Sequence, residues 1–221
     1  MNALRTHSRA RFWAQAASFG ALWGGVEITL GAFIHTMRIP FSGVLLAAFG
    51  AAILVAQRQI VPMRGLSLAT GAVAALCKSM SPGGVILGPM VGILSEAMAV
   101  EFALLFAPRA RVGALLAGCL AASVTVLHQV LSLWVYYGGR ILDLLFEAVS
   151  KVGQLGGTGT DAGWWAVGLL GNLIIAVGAA GGLLGWYLGK DVERIVNPGP
   201  VATLSTRAVG SALGSEVTDE G

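Results

Sequence analysis

Glu27, His128 and Asn172 each stand inside a long apolar run, and Lys78 stands at the end of a shorter one. An ionisable or amide side chain in such a run is costly unless it faces protein, water or a ligand, so each marks a place where chemistry is expected. His35 and Arg38 close the first run, Ser79 follows Lys78, and Gln129 follows His128. Together they offer a cation for an anion, a carboxylate for an amine, and imidazole, hydroxyl and amide groups for hydrogen bonds. That set suits recognition of a small polar solute. Each group also has a plainer role. Glu27 and Lys78 would neutralise each other, Arg38 would snorkel to headgroups, His128 would pack with its hydrogen bond satisfied, and Asn172 would join or cap helices.

Glu96 and Glu101 are a second pair of carboxylates in an apolar run. Five positions turn a helix by about 140°, so they do not share a face. Proton coupling would use such groups, and a structural partner such as Lys78 or Arg109 would also account for them. Glu101 reads as structural, and Glu96 stays open between the two roles. Enzyme chemistry is not indicated. Gly182-Leu-Leu-Gly185-Trp-Tyr-Leu-Gly189-Lys190 lacks the glycine spacing and the Ser/Thr of a nucleotide-binding loop, and no HExxH, nucleophile elbow or CxxC occurs. Cys77 and Cys119 read as buried, unpaired thiols, and no residues have metal-ligand spacing. No catalytic residue, cofactor or metal is expected.

The elements that must hold these groups follow from composition. Charged residues make up 11% of the 221 residues, against about 25% in soluble domains. Mean hydropathy is +0.78. The apolar runs are continuous rather than alternating, which points to membrane helices and away from a β-barrel. The basic residues sit in short segments with no stripe, so no nucleic-acid partner is expected.

The fold class expected is all-α, a bundle of six transmembrane helices at about 12–34, 39–56, 65–80, 85–106, 112–137 and 163–189, with the third shorter than the ~20 residues a perpendicular span needs. Arg5, Arg9 and Arg11 precede the first run, which reads as a retained span because it is too long for a signal peptide and contains Glu27. Ten basic residues (Arg5, Arg9, Arg11, Arg58, Arg64, Arg109, Arg111, Lys190, Arg194 and Arg207) fall on one side, against Arg38, Lys78, Arg140 and Lys151 on the other. The excess favours both termini inside. The domains expected are a basic N-terminus at 1–11, a membrane domain at 12–189 and a polar, disordered cytoplasmic tail at 190–221. Between spans five and six, 140–156 alternates apolar residues with Arg140, Asp143, Glu147 and Lys151 at helical spacing. It reads as an amphipathic outer segment or a lid.

The first span also carries small residues four apart, Ala16, Gly20, Gly24 and Ala17, Ala21, Gly25. Such a face lets another helix approach closely. With that pattern, the short third span, the Arg38-Ile-Pro-Phe-Ser-Gly43 turn and the Lys78-Ser-Met-Ser-Pro-Gly-Gly84 loop, the stretch from Phe12 to Gly189 resembles the substrate-capture (S) component of energy-coupling factor transporters, which belong to the ABC class. Ala17-Ser-Phe-Gly-Ala21 is similar to that family's alanine-rich docking motif.

The resemblance implies a subunit in the cytoplasmic membrane of a prokaryote that binds a vitamin or related micronutrient beneath its outer loops. Its partners would be the solute, membrane lipid, a transmembrane coupling (T) subunit and two cytoplasmic ATPases. Ala17 and Ala21, with Gly20 and Gly24, would be the docking contacts. Glu27, His35, Arg38, Lys78, Ser79, His128 and Asn172 are pocket candidates by position. No signature names the solute. The alternatives are a stand-alone small-solute transporter or channel, proton-coupled through Glu27 or Glu96, and a structural or assembly protein with no solute.

Overall fold

The computed structural model describes residues 2–37, 42–80, 87–140, 143, 146–147, 149–151 and 160–196. These form six principal helices, α1 (Asn2–Thr36), α2 (Ser42–Ile60), α3 (Leu66–Ser79), α4 (Leu87–Phe106), α5 (Arg111–Tyr137) and α6 (Thr160–Val196), with no strand among the described residues. Five of them are long and apolar enough to cross a membrane, the pattern of a multi-pass membrane protein. Helix is the form in which an isolated segment satisfies all its backbone groups in an apolar surround. At 14 residues α3 is about 21 Å long, short of a ~30 Å hydrocarbon core. The helices stop where the backbone requires it. Gly65 precedes α3 at φ 77°, a left-handed conformation that favours glycine, and Gly138 ends α5 at φ 62° with its N–H donated to the Trp134 carbonyl.

α2 touches all five other helices; around it α1 lies against α3, α3 against α4, α4 against α5 and α5 against α6. Small residues allow these approaches. The fully buried Trp23 ring lies against Gly50 of α2, where a Cβ would come within 2.8 Å of the indole, and it also borders Gly71 of α3. On α6, Gly178 and Gly182 meet the α5 backbone at Gly118 and Ala114, while Gly181, Gly185 and Gly189 meet α2 at Ala48, Ala52 and Ala56. Two glycine stripes on one helix therefore receive two neighbours.

The end of the bundle holding the α2–α3 and α4–α5 connections has a buried polar layer. The Glu101 carboxylate of α4 accepts the backbone N–H of Gly65 at 2.7 Å and of Ser67 at 3.1 Å, and pairs with Arg58 of α2 at 3.1 Å. α3 has no acidic residue in its first turn and no side-chain cap of its own, so α4 supplies the anion its N-terminus favours. The partner of Glu101 is therefore Arg58, and neither Lys78 nor Arg109. Beside it, Thr70 donates to Gln57, whose amide donates to the Gln15 carbonyl at 3.2 Å, joining α3, α2 and α1.

Two helices run past the expected spans. α1 begins at Asn2, ahead of the span expected from about Phe12, and α6 continues to Val196, so 190–196 is helical and not disordered. Arg109 holds that extension by pairing with Glu193 and donating to the Gln59 carbonyl at 2.8 Å, while Trp186 donates to the Arg109 carbonyl at 2.9 Å. Residues 197–221 lie outside the described residues. Of the amphipathic segment, Arg140, Asp143, Phe146, Glu147 and 149–151 are described and helical. Lys151 meets Glu147 at 2.7 Å, and this hydrogen bond and charge hold the Glu147 carboxyl below its usual range. Phe146 meets Trp164 edge-on, with ring centroids 6.1 Å apart, so the segment contacts the start of α6.

Removing Glu101 uncaps α3 and leaves Arg58 as an unpaired buried charge, which typically costs about 3–5 kcal/mol. Glu101→Ala is expected to lower the thermal unfolding temperature in detergent, and the Arg58→Met/Glu101→Leu double variant to recover most of the loss. A Glu101→Ala protein that melts with the wild type would contradict this role.

Candidate functional site

At the opposite end of the bundle the helices part around a cavity of about 490 Å³. Two walls come from facing stripes, Gly88, Pro89, Gly92, Ile93 and Glu96 on α4, and Thr125, His128, Gln129, Ser132, Leu133 and Tyr136 on α5. Spacings of three and four place each set on one helix face. Gly43 and Leu46 at the start of α2, Glu27 of α1 and Lys78 at the end of α3 complete the lining. Below Glu96, α4 and α5 close on each other through fully buried Ala97, Val100, Leu104, Ala114, Ala117 and Ala121. The cavity thus reaches from the helix ends down to Glu96 and Thr125, and a packed apolar layer floors it.

Glycines make room for its polar side chains. A Cβ on Gly43 would collide with the Gln129 amide, one on Gly92 would sit 3.5 Å from the His128 ring, and one on Gly31 would sit 3.4 Å from the Lys78 ammonium. Lys78 is engaged by α1. Its Nζ donates to the Glu27 backbone carbonyl at 2.8 Å and lies 3.7 Å from the Glu27 carboxylate. The two side chains are 16% and 8% exposed, so this is a largely buried pair that fixes α3 to α1 at the cavity wall.

Glu96 differs. One carboxylate oxygen accepts the Thr125 hydroxyl at 2.6 Å, while the other is buried with no hydrogen-bond partner. No cation pairs with it among the described residues.

Among the expected pocket residues, the cavity brings together Glu27, Lys78 and His128. It leaves out two. Ser79 is partly exposed and donates to the Leu76 carbonyl at 2.6 Å. Asn172 is exposed on α6 and donates to the Gly168 carbonyl at 2.8 Å, one turn back on its own helix. The glycine faces of α6 lie further along, at 178–189, which explains why position 172 faces away from the site. Arg38, the His35 side chain and the loop at 81–86 lie outside the described residues. Sequence reasoning left out of the pocket Glu96, Thr125, Tyr136 and the lining glycines. The matched spacings on α4 and α5 were the available signal.

The small-residue edges of α1 divide. Gly20 lies against Val73 and the Thr70 carbonyl, and Gly24 against Cys77, all on α3. These two glycines are buried inside the chain and are not open to a partner helix. Ala17, Ala21 and Gly25 are exposed, and a Cβ on Gly25 would meet nothing within 4 Å.

No protein-family model, curated protein or solved structure matches this chain.

The buried Glu27–Lys78 contact makes a stability prediction. Lys78→Met strands a carboxylate, and Glu27→Gln in the same chain removes that charge. The double variant is expected to unfold at a higher temperature than Lys78→Met alone, with a coupling of about 0.5–3 kcal/mol. Strictly additive effects would mean that the two groups do not act as a pair.

Proposed function

We propose that the chain is the substrate-capture subunit of an importer of the energy-coupling factor type, a carrier of a small micronutrient and not an enzyme. The observation that carries the proposal is the cavity, which has mostly apolar walls bearing a few polar groups, lies at one end of the bundle and is floored by tightly packed apolar residues. Such a site can hold a solute but offers it no straight path through, as a capture subunit requires and a channel does not. In this reading six helices span the cytoplasmic membrane of a prokaryote. Both termini are inside, α3 is the short member and the cavity opens outward, in keeping with the basic excess at the other end. The Ala17–Ala21 edge, extended by Gly25, would dock on a transmembrane coupling subunit driven by two ATPases. Its exposure supports that role, and Gly20 and Gly24 drop out of it.

A second reading draws on the unpartnered oxygen of Glu96, which suits a proton-coupled transporter acting alone. Uptake by liposomes containing only this protein, abolished by Glu96→Gln, would favour it.

Bulk on the exposed edge separates docking from binding. Ala17→Trp and Ala21→Trp are expected to leave solute binding unchanged and to stop uptake in cells, because the ring prevents close helix approach. Normal uptake by both variants would overturn the docking assignment.

A further inference from the structure

Resting on the capture reading, we infer that the solute is a small organic monocation, an amine or amidine, whose N–H group is received by Glu96 on the cavity floor. The charges around the cavity lead there. Among its described lining residues, Glu27, Lys78 and Glu96 carry formal charge. Lys78 is held by the Glu27 carbonyl and carboxylate, so it is not a free cation waiting for an anion. Glu27 and Lys78 cancel, which leaves Glu96 as the ionisable lining group with no charge partner among the described residues.

Glu96 is 6% exposed, with one oxygen satisfied by Thr125 and the other by nothing. Isolating an anionic oxygen from water is expensive, and a cationic donor is the partner that removes most of that cost. An oxygen so placed is what a cationic N–H donor would engage.

The remaining lining describes the rest of the molecule. Leu46, Ile93 and Leu133 give the cavity apolar walls, and Tyr136 adds an aromatic ring. An apolar or aromatic body is thereby accommodated, with Gln129 and His128 placed along the α5 wall for one or two further hydrogen bonds. A volume of about 490 Å³ falls within the range that encloses a small organic molecule. An inorganic cation would leave most of that space unfilled.

The opposite chemistry is a neutral, protonated Glu96 donating to a carbonyl or carboxylate of the solute. Glutamine resembles the neutral acid in shape and hydrogen bonding but cannot carry charge, so Glu96→Gln separates the two.

The test uses the full-length chain in nanodiscs, incubated separately with the cationic, neutral and anionic fractions of a deproteinised bacterial extract. Retained molecules are identified by accurate mass against empty nanodiscs. Retention of a species from the cationic fraction is expected, reduced by about thirty-fold or more in Glu96→Gln, the loss that follows removal of one partner of a buried charge pair. Glu96→Asp, which keeps the charge, is expected to retain part of the binding. Retention from the neutral or anionic fraction, or equal retention by Glu96→Gln, overturns the monocation inference and leaves the capture reading standing. Enrichment from no fraction overturns the capture reading and the inference with it. The comparison of fractions on the wild-type chain stands without any variant.

Discussion

A carboxylate withdrawn from water has to be met by a cation or by hydrogen-bond donors, and among the described residues three are buried, Glu27, Glu96 and Glu101. Each is met to a different degree, and the difference separates framework from site. Glu101 receives two backbone N–H groups and a guanidinium, and in return fixes the start of α3 against α2 and α4. Glu27 receives the ammonium of Lys78, which fixes the end of α3 against α1. Glu96 receives one hydroxyl. The short α3 is therefore held at both ends by charge, and the incomplete satisfaction lies at the cavity floor.

Close helix approach makes the rest possible. Glycine at positions 50 and 71 admits the Trp23 ring to the centre of the bundle, and the two stripes of α6 admit α2 and α5 backbone to backbone. The same residue type has another use towards the cavity end, where Gly31, Gly43 and Gly92 leave space that Lys78, Gln129 and His128 enter. Small residues thus close the lower part of the bundle and open its upper part. A solute site in a membrane helix bundle needs both, since a cavity without a tight floor would leak.

The helices were legible in the sequence because continuous apolar runs bounded by Pro and Gly admit little else, and the breaks at Gly65 and Gly138 fall where expected. The continuation of α6 past Lys190 was not legible. It depends on Arg109, which is far away in sequence and pairs with Glu193. The Arg58–Glu101 pair was hidden for the same reason, since periodicity describes which residues share a helix face but not which face meets another helix. Asn172 illustrates the limit. Its position along the helix could be read from its place in the run, but its rotation about the helix axis is set by the glycine contacts of α6. On α1 two adjacent lines of small residues were visible, and only packing against α3 separates the buried line from the exposed one.

The capture role requires that the cavity hold one small molecule. Native mass spectrometry of the protein, extracted gently from membranes, tests it most directly when run beside Gly92→Trp, whose ring would occupy the space between α4 and His128. A single bound small molecule is expected on the wild-type chain and none on the variant. A wild-type chain that is empty as isolated, and still empty after incubation with a mixture of vitamins and their precursors, would contradict it.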